Sequence, residues 1–286
     1  MTIKILADSA SDLTVEDCQK YNIEFLPLTV QLDGEEYEDG VTISPKEVYD
    51  AMRDGKAPKT AQVSPQLFKD SFEKHVQEGN TVIYLAFSSE LSGTYQGAKL
   101  MEQEVKENHP DANLHIIDTK CASLGYGLVV LRAAELANNG ASVDEILAAS
   151  KHNAEHMEHI FTVDDLEYLY RGGRVSKTAA FVGTLLKIKP LLHVEDGKLI
   201  PLEKIRGSKK VYKRMLEIME ERGMDLSGQR IGISHGDALD VAESIADMFR
   251  EKWNVKDVKI NMVGSAVGAH SGPGTIAVFF LNDEQK

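Results

Sequence analysis

Short segments of this chain concentrate hydroxyl groups, glycine and histidine. Lys59-Thr60-Ala61-Gln62-Val63-Ser64-Pro65 is the first, and Ser88-Ser89-Glu90-Leu91-Ser92-Gly93-Thr94-Tyr95-Gln96 is the second. Ala269-His270-Ser271-Gly272-Pro273-Gly274-Thr275 is the third. Hydroxyls donate hydrogen bonds without adding charge, and a helix start presents free N–H groups and the positive end of its dipole to an anion. His270 beside such hydroxyls could donate to the same anion or orient a serine. Taken singly, each segment is equally well explained as a capped loop. His152 and His156 stand four apart, a spacing that puts both on one helical face and could hold a metal. The Glu that a zincin motif places directly after the first His is missing, so the pair is expected to be a solvated helix end and no metal is assigned. Gly272-Pro273-Gly274-Thr275-Ile276-Ala277 matches a dinucleotide loop in letters only, because Val278-Phe279-Phe280 continues it as a strand rather than a helix. No GxxxxGK[ST] phosphate loop occurs.

Composition narrows the possible partners. The 286 residues carry 32 Lys and Arg against 45 Asp and Glu, a net charge of −13. That balance argues against a nucleic-acid groove and against adsorption to anionic lipid. The 2 cysteines, Cys18 and Cys121, lie in no metal or redox spacing and are expected to be reduced thiols. The N-terminus has no signal-peptide pattern, and no run approaches the roughly 18–20 apolar residues of a membrane helix. The expected location is the cytoplasm.

The elements that must position these groups alternate in the first half. Residues 3–7, 81–87 and 114–117 are predicted strands, with 24–32 extended. Predicted helices cover 14–21, the segment opening at Ser64-Pro65, the segment from Gly93 to about 108, and two more before 157. Ser64 is expected to cap its helix with Pro65 in the first turn. Ser142 and Glu145 form a capping-box pattern. This order predicts an α/β domain with a parallel sheet, whose strand ends open into a crevice. The second half predicts strands at 160–163, 231–234, 258–263 and 275–281, a hairpin about Asp196-Gly197, and helices at 208–222 and 238–253. Two domains are expected: 1–158, α/β, and 159–286, α+β with a largely antiparallel sheet.

The opening Ile-Lys-Ile-Leu-Ala-Asp-Ser-Ala-Ser-Asp-Leu, the 59–65 segment, Leu91-Ser92-Gly93-Thr94-Tyr95-Gln96, Leu169-Tyr170-Arg171-Gly172-Gly173-Arg174 and His270-Ser271-Gly272-Pro273-Gly274 occur in the order found in the DegV family. The chain resembles that family along essentially its whole length. The resemblance implies a DegV-like two-domain fold holding one long-chain fatty acid, such as palmitate, stearate or oleate, in a tunnel. It implies a binding subunit of a bacterial fatty acid kinase, with no catalytic residue, cofactor or metal of its own. A separate ATP-binding kinase subunit would phosphorylate the carboxylate, and the acyl phosphate would pass transiently to a membrane acyltransferase. Carried over by position, Thr60 and Ser92 would bond the carboxylate, the backbone at Gly93 and Thr94 would help, and His270 would complete the network. Arg171 and Arg206 would sit nearer the mouth. Ala61 and Val63 depart from the Ser and Pro common in the family, which removes one hydroxyl from the network.

The physics of a buried acyl chain suits this. At about 0.8 kcal/mol per CH₂, a 16-carbon tail offers about 11 kcal/mol gross, less the costs of association and ordering. The tail would supply affinity and the hydroxyls direction, and a carboxylate cradled by neutral hydroxyls remains a usable nucleophile. Two other functions use the same residues. One is a carrier of another apolar anion or lipid without a kinase partner. The other is a hydrolase with Ser92 as nucleophile and His270 as base.

Overall fold

A computed structural model of the chain describes residues 2–176 and 188–286. The first sheet is parallel, in the order β2-β1-β6-β7, with β1 Ile3–Asp8, β2 Ile23–Leu26, β6 Thr81–Ala86 and β7 Leu114–Asp118. Every residue of β6 is buried, as expected of an apolar parallel strand covered on both faces. Its helices are α1 Val15–Tyr21, α3 Pro65–Gln77, α4 Thr94–Asn108, α5 Ser123–Asn138 and α6 Val143–Glu155.

The second sheet is mixed, in the order β10-β9-β8-β13-β11-β12. Its strands are β8 Met157–Thr162, β9 Ile188–Glu195, β10 Lys198–Arg206, β11 Arg230–His235, β12 Asp257–Met262 and β13 Ile276–Leu281. Only β11 and β12 pair in parallel, linked by the helix α9, Leu239–Trp253. The Asp196-Gly197 turn joins β9 to β10 with positive φ at both residues, the geometry of a tight hairpin turn. Strand alternation divides two cores. Ile276, Val278 and Phe280 pack with α8, Ser208–Arg222, and α9, whereas Ala277 and Phe279 face the core shared with the first sheet. Helix α5 lies between β1 on one side and β8, β11 and β13 on the other.

Three features differ from the expected elements. The extended stretch 24–32 breaks at Pro27, and its second part joins a small antiparallel sheet, β4-β3-β5, made of Thr29–Leu32 (β3), Glu35–Glu38 (β4) and Lys59–Ala61 (β5). The first hydroxyl segment therefore begins as a strand. Ser64 makes no side-chain cap, so Pro65 alone marks the start of α3. His270 lies not in a loop but in the last turn of a short helix, α10, Ser265–Ser271. Two further helices, α2 Pro45–Arg53 and α7 Leu166–Arg171, add to the pattern, α2 with a Ser44/Glu47 capping box. Residue 158, the expected boundary, falls within β8. Among the described residues no helix is long and apolar enough to cross a membrane.

Candidate functional site

Between the carboxyl ends of the parallel strands and the inner face of the mixed sheet lies a partly open cavity of about 210 Å³. Its body is apolar, formed by Leu28, Phe87, Phe161, Val194, Leu199 and Phe279 among others. Polar groups gather where β5, the β6–α4 loop and α10 meet.

Thr60 reaches this point because β5 pairs with β3, placing it opposite Val30. Its hydroxyl lies 2.7 Å from His270 Nε2. Ser92 stands just before Gly93, the N-cap of α4. Its Oγ accepts the Thr94 backbone N–H at 3.2 Å and shares a hydrogen bond with Thr94 Oγ1 at 2.8 Å. The loop comes close to its neighbour: a Cβ at Gly93 would lie 2.4 Å from Gln62 Oε1. Gly172 has the same role on the far side, since a Cβ there would lie 2.2 Å from His270 Nδ1.

Arg174 lines the cavity too. Its guanidinium donates to Leu91 O, at 3.1 Å from Nε and 2.8 Å from the second terminal nitrogen, and to Gly172 O. One side chain thus ties the Ser92 loop to the Gly172 turn that packs on His270. Burial pushes the His270 pKa down to about 4, and the Arg174 and Arg171 charges lower it further. The imidazole is neutral at physiological pH. His159 forms part of the apolar wall and is also held at about 4 by burial. Its Nδ1 donates to Met157 O at 2.9 Å, and its Nε2 accepts the Ala122 N–H at 3.1 Å.

Two buried carboxylates hold α10. Asp12 Oδ1 accepts the Gly264 N–H at 2.8 Å, and Asp39 Oδ1 accepts the Ser265 N–H at 2.9 Å. These are free donors at the start of the helix that carries His270 at its other end. Burial raises the Asp12 pKa to about 7, with the Asp39 charge adding to the shift, and burial raises Asp39 as well. Asp8, at the end of β1, is raised to about 6 by burial. It binds Tyr84 Oη at 2.6 Å and the Phe87 N–H at 3.2 Å, fixing the start of the Ser92 loop.

Of the residues singled out from sequence, Thr60, Ser92, Gly93 and His270 come together on the cavity wall. Thr94 is fully buried behind Ser92 and does not face the cavity. Arg171 lies over the Tyr168 ring, 5.2 Å from its centroid, and Arg206 is exposed at the end of β10; neither lines the cavity. The polar end is not purely neutral, because Arg174 puts a cation there. Arg174 stands in the same segment as Arg171, but only the end of α7 at Gly172 shows which of the two turns inward. Ser92 and His270 are each bonded to a different threonine, and no hydrogen bond joins them among the described residues. A nucleophile–base pair is therefore not assembled. Among the described residues no Asp or Glu lines the cavity. The arrangement suits an anion with a long apolar body.

The profile of a family described as "Uncharacterised protein, DegV family" matches residues 2–283. The chain belongs to the DegV family. It is 42% identical over 285 residues to a DegV domain-containing protein of Clostridium perfringens, covering 99% of this chain and 98% of that one. A relative in Thermotoga maritima, named a fatty acid-binding protein, is 36% identical over 287 residues, covering 96% of each. The structure of a stearic acid-binding protein from Eubacterium ventriosum superposes with a TM-score of 0.89 at 27% identity, covering 99% of both chains.

Proposed function

We propose that this DegV-family protein is a cytoplasmic carrier of one long-chain fatty acid. The tail lies along the apolar cavity, and the carboxylate sits among Thr60, Ser92, the backbone at Gly93 and His270. The observation that carries this is a cavity whose lining is mostly apolar and in which, among the described residues, hydroxyls, a neutral imidazole and a guanidinium gather toward one end. The fatty acid binding named for the Thermotoga and Eubacterium relatives supports the same ligand class. Arg174 adds attraction for the anion, yet its bonds to Leu91 O and Gly172 O keep it from acting as a free clamp.

The bound acid is presented to a separate ATP-binding kinase subunit, which forms the acyl phosphate. A chain without a phosphate loop that holds its carboxylate by hydroxyls is suited to that division of labour. Arg171 and Arg206, outside the cavity, are assigned to the partner or to the acyl phosphate. The acyl phosphate then passes to a membrane acyltransferase, and the net charge of −13 favours departure from anionic lipid.

Native mass spectrometry of the protein purified from its host tests the ligand. One fatty acid per chain is expected. Finding none, together with no uptake of labelled palmitate or oleate by the delipidated protein, would reject the proposal. Capture of an ATP-dependent acid kinase from host lysate, with labelled acyl phosphate as its product, tests the partner. Ser92→Ala should lower phosphorylation more than tail binding.

A further inference from the structure

Away from the cavity, the end of α6 meets the segment that follows β13. His152 and His156, one turn apart, have ring centroids 4.5 Å from each other. Asp283 Oδ2 lies 3.7 Å from His152 Nε2 and 3.6 Å from His156 Nε2. One donor atom from each of the three residues falls within 4.8 Å of the others. Bonds of about 2.0–2.1 Å around a tetrahedral ion place its donors about 3.4 Å apart. Two edges of that triangle are nearly formed, and the third is no longer than 4.8 Å.

The supporting contacts are built to point His156 at this spot. Asn282 Nδ2 donates to Glu158 Oε1 at 2.9 Å, and Glu158 Oε2 accepts from Arg222 at 3.1 Å. The amide is thereby fixed with its oxygen toward His156, 2.8 Å from Nδ1. Nδ1 carries the proton, and the Nε2 lone pair faces Asp283. This is the outer contact that orients a metal-bound imidazole and sets its tautomer. Asn282 N also donates to His156 O at 3.0 Å, which pins the segment to the helix end. His152 Nε2 donates to Glu284 O at 2.8 Å; binding a cation there moves the imidazole proton to Nδ1 through water, which frees the Nε2 lone pair, and the exposed carbonyl turns to water. The sequence offers only the HxxxH pair; the third donor arrives because β13 runs antiparallel to β8 and ends beside α6.

We infer that His152, His156 and Asp283 form a site for a divalent transition cation of the zinc class, with a fourth position open to water. Two imidazoles and one carboxylate favour such an ion over magnesium or calcium, which prefer all-oxygen sets. The bound ion fastens the 282–284 segment to α6.

The test is calorimetric titration of ZnCl₂ into the full chain, made without a polyhistidine tag and stripped with chelator. The visible spectrum with Co²⁺ reports coordination. One equivalent should bind, the cobalt protein should show the intense d–d bands of a tetrahedral ion, and Zn²⁺ should raise the melting temperature. His156→Gln and Asp283→Asn should each weaken Zn²⁺ at least ~10-fold and abolish the cobalt bands, and Asn282→Ala should weaken it about 10-fold or more. Circular dichroism of the stripped variants checks that they fold. Absence of a stoichiometric site, or affinity unchanged in folded His152→Gln and Asp283→Asn proteins, would overturn the inference. Fatty acid uptake is read separately, so failure of one result leaves the other intact.

Discussion

His270 is useful because it is neutral. Folding lowers its pKa from the ordinary 6.5 to about 4, mainly by burial. The unfolded chain therefore takes up a proton between those values that the folded chain refuses. The stabilising contribution is complete above pH 6.5 and is lost as pH falls through 4. Relative to His270→Gln, the delipidated wild type should lose on the order of 3 kcal/mol between pH 7 and pH 4. Urea midpoints of both proteins measure this, and parallel pH profiles would contradict it. Gly172 tests the packing of the same ring. Gly172→Ala drives a methyl group into the imidazole and should cost about 1–3 kcal/mol, with loss of fatty acid affinity. Thr60, Ser92 and His270 were legible in sequence because hydroxyls and a histidine stand out in short motifs. His159 was not. It follows His152 and His156 in one polar stretch, but the chain leaves α6 and enters β8 at Met157, and the change of period turns His159 inward.

At the scale of elements, α10 decides the site. Its sequence, SAVGAHS, is short and contains a glycine and no strong amphipathic pattern, so nothing local announces a helix. Asp12 and Asp39 hold it through bonds to the backbone of Gly264 and Ser265, and those contacts join residues far apart in the chain. Asp39→Ala should destabilise the protein by about 1–3 kcal/mol, because a buried N–H loses its acceptor. It should also weaken fatty acid binding without touching the ligand. Ser142→Ala is the control: it removes the capping box of α6, should cost about 1 kcal/mol, and should leave fatty acid affinity unchanged. Titration calorimetry with denaturant melts separates the two outcomes. The α6 cap was readable because Ser142 and Glu145 are close in sequence; the α10 anchor was not, because its partners come from other elements. Asp12 gives this latch an opposite pH sign. Its folded pKa of about 7 lies above the ordinary 3.8. Its contribution is present at low pH and fades as pH rises through 7, so Asp12→Asn should gain on the wild type over that range.

On the scale of the whole molecule, the cavity exists because two sheets share a core without filling it. Alternation along β13 sends Ala277 and Phe279 to that side and Ile276, Val278 and Phe280 to the other. The main strands and the hairpin were readable from period and turn residues, but the order of the strands within each sheet was not, and an internal void has no sequence signature, since the same apolar residues could have closed it. Ala277 lies on the cavity wall. Ala277→Phe should therefore fill space the tail needs and reduce uptake of labelled palmitate at least ~10-fold while the protein stays folded, the added ring occupying volume that is otherwise empty. Unchanged uptake would place the tail elsewhere. The most direct test of the whole account is a crystal structure of the protein saturated with palmitate. It should show continuous density along the cavity, with the carboxylate within about 2.6–3.2 Å of the hydroxyls of Thr60 and Ser92. A carboxylate at the opposite end of the cavity, or a cavity closed by side chains with the lipid bound outside, would contradict it.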